Sequence, residues 1–218
     1  MPTFSDPPAD VRAKLESSRL HLESGQRSGD AASFAFESLA GLCLDRAVFT
    51  DALLQETDFT RCSLVAAEVC SATANGANFF EADVSRANFK KSSLIEASFE
   101  SAVARGTRFM DCRLNKTTFD GADLREADFE HAALTAASFR SADLREANLT
   151  RVNLRGANFA AANLEKTVFD TTVLDDSTTF VGCIGIEKAI IRSVITGEGV
   201  LNEEAARTLL LRMAGVSS

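Results

Sequence analysis

From Phe49 to Leu174 every fifth residue is apolar, through 26 consecutive pentapeptides with no insertion or deletion. The centres are mostly Phe or Leu, as in Phe99, Phe109, Leu114, Phe119, Leu124 and Phe129, with Val69, Val84, Ala74 and Ala104 as smaller members. Two residues before each centre stands a small side chain, usually Ala, otherwise Cys, Ser or Thr, and once Val, at Val152. The intervening residue is often Asp or Asn, as in Ala122-Asp123-Leu124 and Ala157-Asn158-Phe159. A period of five matches neither the 3.6 of a helix nor the 2.0 of a strand. It describes a solenoid whose unit is one side of a coil.

Folding the sequence at twenty residues aligns Phe59, Phe79, Phe99, Phe119, Phe139 and Phe159 in one ladder without exception. The opposite ladder reads Phe49, Val69, Phe89, Phe109, Phe129, Leu149 and Phe169, and the two remaining ladders are rich in Leu. Were four pentapeptides to close one coil, Phe would face Phe and Leu would face Leu across it. Its narrow section admits one large and one small side chain per side. Asp, Asn, Ser and Thr support a turn within five residues by bonding nearby backbone. At a strand spacing of about 4.8 Å, 6.5 coils make a rod of roughly 31 Å.

These residues carry a resemblance. The tandem Ala-(Asp/Asn)-Leu pattern over residues 47–174, with ADLREA at 122–127 and again at 142–147, is similar to the bacterial pentapeptide repeat proteins. The resemblance implies an all-β solenoid, a right-handed quadrilateral β-helix with centres and small residues pointing inward. The domain reading is a tail and capping helix at 1–38, the repeat β-helix at 39–180, and a C-terminal cap and helix at 181–218. Residues 1–9 are expected to be loose. Asp10 is placed to cap a helix through Val11, Leu15 and Leu22, ending near Gly25. The first coil is imperfect because Glu37 and Leu42 occupy small-residue slots.

The register shifts by one after Leu174, so that Phe180 is the next large apolar residue. Residues 183–195 read as strand or short helix, and periodicity does not choose between them. Asn202 caps a further helix with Glu203 and Glu204 in its first turn and Gly215 as its stop. Ala206, Leu209, Leu210 and Met213 fall on one face of it. In loop-free relatives a C-terminal helical segment forms a twofold dimer, and the resemblance implies a homodimer through these four residues.

With the interior filled, function must sit on outward positions or at the ends. The chain has 31 Asp+Glu and 23 Lys+Arg, a net charge of −8. That excludes a basic nucleic-acid-binding surface. Some family members imitate duplex DNA and bind gyrase, protecting it from quinolones or gyrase poisons. Duplex DNA carries about one charge per 1.7 Å. Here Val48–Asp176 holds 20 acids and 14 bases, and no side of the column exceeds a net −2. The expected function is therefore a non-enzymatic, rigid protein-interaction scaffold. The alternatives are a DNA-mimicking binder of a type II topoisomerase and, on family analogy alone, a secreted effector.

Two surface features stand out. Arg105, Arg125 and Arg145 form a ladder one coil apart, flanked by Asp123, Glu126, Asp143 and Glu146. It reads as a neutralised lattice or as a site for an anion or acidic partner. Val65, Phe80, Ile95 and Met110 lie fifteen residues apart, each one coil up and one side around. They trace an oblique outward apolar stripe suited to a partner. No catalytic set, metal spacing or phosphate loop is found, and neither enzymatic activity nor a cofactor is expected. His131 is an outward residue beside Glu130, and His21 lies on the first helix. Of Cys43, Cys62, Cys70, Cys112 and Cys183, two sit in small-residue slots, and all five are expected as free thiols. With no signal-like N-terminus and no apolar run of membrane length, the expected location is the cytoplasm.

Overall fold

A computed structural model describes residues 4–25 and 31–215. The chain is a right-handed quadrilateral β-helix closed by helix α1, Ala9–Glu23, at one end and helix α2, Glu203–Ala214, at the other. Each side contributes one bridged residue, paired in parallel with the residue twenty positions on, from Ser33 with Leu53 to Asn153 with Val173.

In a fully bonded pentapeptide every backbone N–H finds an acceptor. In Ser92–Glu96, Ser92 N–H closes the corner on Phe89 C=O at 3.0 Å, and Ser93 N–H reaches down to Ala72 C=O at 2.9 Å. Leu94 and Glu96 N–H reach up to Arg113 and Asn115 C=O at 2.8 and 3.0 Å. That leaves the residue after the centre, whose N–H points along the surface. Ile95 N–H donates to Asn75 Oδ1 one coil below at 3.0 Å, and Val65 N–H donates to Asp45 in the same way. Elsewhere the Asp or Asn before the centre accepts it, as Asp58 does from Thr60 and Asn158 from Ala160, both at 2.9 Å. This fifth donor explains why the polar position of the repeat is so often Asp or Asn.

Hydroxyls and thiols in the small slots are satisfied by one rule. Thr57, Cys62, Ser92, Thr107, Cys112, Thr117, Thr167 and Thr172 each donate to the C=O of the centre 23 residues earlier, at 2.5–2.9 Å. Buried polar atoms in these eight slots are thus admitted without an unmet bond.

Inside, the Phe59 ladder stacks with centroids 4.5–5.1 Å apart and planes within 13°. Phe89, Phe109 and Phe129 meet it edge-on, as in Phe79–Phe89 at 5.7 Å and 90°. The edge-to-face contact aims positive ring edges at negative ring faces. Phe180 continues the ladder on Phe159 at 4.9 Å and 4°, despite the one-residue shift. The extra residue is held at a widened corner. There Asp175 Oδ1 accepts from Gly156 N–H, Ser177 N–H and the Ser177 and Thr178 hydroxyls.

Beyond this corner the coil lengthens but its pairing persists. Asn158 and Asn163 bridge residues 21 positions on, at Thr179 and Ile184. A 3-10 turn at Ile186–Lys188 absorbs one residue more. Strands β1 (Val168–Phe169) and β2 (Thr172–Val173) then pair in parallel with β3 (Ile190–Ile191) and β4 (Val194–Thr196). Residues 183–195 therefore contain both a helical turn and strand. Strand β5 (Gly199–Leu201) folds back antiparallel on β4 and delivers the chain to α2.

The N-terminal end departs from two expectations. Residues 1–3 lie outside the described residues, but Ser5 is not loose. The first coil has an unpaired lower edge, and Ser5 fills it, donating to Gly41 C=O at 2.9 Å and accepting from Cys43 N–H at 2.8 Å. Asp10 does not cap α1. The helix begins at Ala9 with Pro8 in the capping position, which puts Asp10 inside the first turn, where its charge still favours the positive end. Val11 is buried, and Lys14 lies 4.8 Å from the Phe34 ring centroid while bonding Glu37 at 2.6 Å.

Candidate functional site: the outward surface of the column

The interior holds no site, because its ladders fill it. Outward, the arginine ladder is internally paired. Arg125 forks onto Asp123 of its own pentapeptide through Nε at 2.7 Å and through its terminal nitrogen, and lies 3.7 Å from Asp143. Arg145 forks onto Asp143 at 2.8 and 2.6 Å, and Arg105 reaches Glu126 at 3.1 Å. The Arg125 hydrogen bonds hold the Asp123 carboxyl below the usual range. At Asp143 burial pushes upward, but the Arg145 and backbone hydrogen bonds together leave it lowered. These charges are spent on one another, so Arg125→Ala should cost less than about 1 kcal/mol, read by thermal denaturation.

Val65, Phe80, Ile95 and Met110 all point outward from corners and are half-buried by neighbouring coils. Sequence reasoning passed over larger exposures. Phe36 is 74% exposed, and Val181, Ile184 and Val200 are 65, 60 and 70% exposed at the C-terminal end. The register alone marks Phe36, two residues past the centre Phe34. The other three stand where the coil length has already changed. Of the four residues assigned to a dimer contact, Ala206 and Leu210 have no exposed surface; α2 packs there on the 3-10 turn, β3 and β5. Leu209 and Met213 are half-buried and line a cleft of about 890 Å³.

Among the described residues the titratable groups do not assemble into a reactive set. His131 lies 3.7 Å from Glu130 and 3.4 Å from Arg151 on an exposed corner. Among the described residues no His, Cys, Asp and Glu cluster could hold a metal ion. The five cysteines are free. Burial pushes the Cys62 and Cys183 thiols up to about 11 and Cys112 up to about 12. Only the thiolate is nucleophilic, so iodoacetamide at pH 8 should leave Cys62 and Cys112 unmodified in the folded protein. Mass spectrometry showing rapid labelling there would contradict their placement inside the column.

Two family profiles match the repeats: one described as a pentapeptide repeat region over residues 76–149, and one as pentapeptide repeats over residues 134–176. The chain belongs to the pentapeptide repeat family. No curated protein matches it in sequence. Among solved structures, a trypsin-treated form of QnrB1, a plasmid-mediated fluoroquinolone resistance protein, is 19% identical. That match covers 85% of this chain and 97% of QnrB1, with a TM-score of 0.56. HetL, a pentapeptide repeat protein involved in heterocyst differentiation regulation in the cyanobacterium Nostoc, is 22% identical. It covers 82% of this chain and 95% of HetL, with a TM-score of 0.43. At these identities the likeness is one of fold. No helix among the described residues of this pentapeptide repeat protein is long and apolar enough to cross a membrane.

Proposed function

We propose that this pentapeptide repeat protein is a non-enzymatic, rigid scaffold that binds another protein through outward residues of its column. The observation that carries this reading is the complete use of backbone donors within a pentapeptide, as in Ser92–Glu96. A coil bonded in this way cannot flex, so its outward side chains keep a fixed pattern that a partner can read at little ordering cost. The oblique stripe of Val65, Phe80, Ile95 and Met110 is the assigned contact, being large apolar groups on a surface otherwise polar at those corners. Five free thiols support a reducing compartment, the cytoplasm.

The competing reading is protection of a type II topoisomerase, prompted by the likeness to QnrB1. The charge pattern weighs against it. The arginine ladder and Lys166–Glu146 neutralise carboxylates of one side, and Arg61–Glu81 and Lys116–Glu96 do so on two others, these three pairs at 2.6–2.9 Å. Affinity purification from the source cells after nuclease treatment should recover a protein bound in stoichiometric amount. In a gyrase supercoiling assay the protein should leave quinolone inhibition unchanged. Restored supercoiling would replace the scaffold reading with the topoisomerase one.

A further inference from the structure

The cleft at the C-terminal end differs from the rest of the surface in two ways. Its floor is apolar, formed by Leu174, Leu201, Leu209 and Met213 between α2 and the widened corner. Its rim carries Asp175, Asp176, Glu198 and Glu204, and none of these four carboxylates forms an ion pair among the described residues. Along the column, by contrast, acids are commonly matched by bases. Arg212 is the one cationic residue lining the cleft. Serine and threonine hydroxyls and backbone N–H groups bonded to Asp175 hold its pKa down, so it stays charged.

The stack also ends beside this cleft. One coil earlier, Ala157 C=O accepts from Thr179 N–H, Phe159 N–H donates to Thr179 C=O, and Ala161 N–H donates to Val181 C=O. Their counterparts Thr178 C=O, Phe180 N–H and Gly182 N–H have no partner among the described residues, because no further coil covers this side. Phe180 is buried, so the accessible stretch of this edge is Val181–Ile184, which exposes Gly182 between two exposed apolar side chains. Val181 and Gly182 turn this corner, Gly182 with φ 67°, and leave an unpaired N–H that can donate to a carbonyl of an incoming chain.

We infer that the cleft takes an extended, basic segment of a partner protein. This deepens the scaffold reading, on which it rests, by naming a second contact and the chemistry of its occupant. An apolar side chain of the segment lies on Leu209 and Met213. Its Lys or Arg residues meet Asp176, Glu198 and Glu204. Its backbone runs on to the edge at Gly182.

The probe is a labelled peptide, Lys-Val-Lys-Leu-Lys-Val, followed by fluorescence anisotropy with the full chain. It should bind at least tenfold more tightly than the same peptide with Glu for Lys, or with Ser for Val and Leu. The double variant Glu198→Lys with Glu204→Lys should weaken it at least tenfold. The control Glu56→Lys with Glu100→Lys, on exposed column positions, should change affinity less than threefold. Gly182 N–H should exchange more slowly with solvent when the peptide is bound. Equal losses in both double variants would reduce the effect to net charge and overturn the inference. So would failure of the Lys peptide to bind, equal binding of the Ser peptide, or a free protein of twice the mass whose cleft the peptide cannot enter. A native partner still held by Glu198→Lys with Glu204→Lys would remove the cleft assignment and leave the scaffold standing. Peptide binding with no native protein partner would do the reverse.

Discussion

Phe119→Ala should lower stability by about 3–5 kcal/mol, the upper range for truncating a buried aromatic. The Phe119 ring is fully buried and stacks on Phe99 and Phe139, each 5.1 Å away. Phe109 and Phe129 meet it edge-on, both at 5.6 Å. The loss should not be softened by collapse, because the backbone ladder fixes the spacing of the coils. A cavity opened in mid-column therefore stays open. The chain has no Trp or Tyr, so circular dichroism in a denaturant titration is the suitable measurement. A shift comparable to that of Arg125→Ala would overturn the assignment of inward and outward positions.

A second large effect should come from Gly185→Ala. From Phe36 to Thr171 the third residue of every four-residue corner has positive φ, and at 23 of these corners it is not glycine. Ala66, Ala136 and Ala161 adopt this left-handed geometry at φ of 57–59°. Only the third residue of each four-residue corner is left-handed, as in a type II turn. The conformation is thus imposed by stacking, and glycine is seldom required for it. Gly185 is different, since a Cβ there would lie 2.7 Å from Glu165 N and 2.9 Å from its Cα. That is backbone of the coil below and cannot swing away. Overpacking of about 1–3 kcal/mol adds to about 1–2 kcal/mol for the left-handed residue. Gly106→Ala, also at positive φ but with its nearest obstacle, Arg86 Cγ, at 3.9 Å, should lose only the about 1–2 kcal/mol of the left-handed residue. Amide exchange should show the Gly185→Ala loss concentrated in residues 180–196, and equal effects for the two variants would contradict the close approach.

The core was legible because a period of five marks a solenoid and the family resemblance supplies four pentapeptides to a coil, after which the Phe59 ladder follows from residue numbers. The helix after Asn202 was equally open to reading: Asn202 accepts from Ala205 N–H at 3.1 Å, and Gly215 ends it at φ 76°. Harder to read were features made by an edge and not by a pattern. Ser5 is polar and near a terminus, and only the unpaired side of the first coil gives it a role. The corner residues are Phe, Arg, Asp, Glu, Lys, Ser, Thr, His and Ala as well as Gly, so their shared left-handed geometry leaves no compositional trace. Ala206 and Leu210 were readable as an apolar stripe, but the choice between a second copy and the column's own end depends on where the hairpin β4–β5 delivers α2. The cleft draws on Leu174–Thr179, Thr196–Asn202 and α2, brought together by two changes of coil length.

If this column works through a fixed outward pattern with the stripe as its contact, Phe80 and Ile95 carry the binding. Phe80 and Ile95 are half-buried at corners whose backbone donors are already satisfied, Phe80 N–H by Asn78 and Ile95 N–H by Asn75. The double variant Phe80→Ser with Ile95→Ser should therefore keep the wild-type circular dichroism spectrum and melt as one folded column. The most direct measurement is its binding, by isothermal titration, to the protein recovered with the wild type. Binding should be lost or weakened at least a hundredfold. A double variant that folds and binds that partner as tightly as the wild type would contradict it.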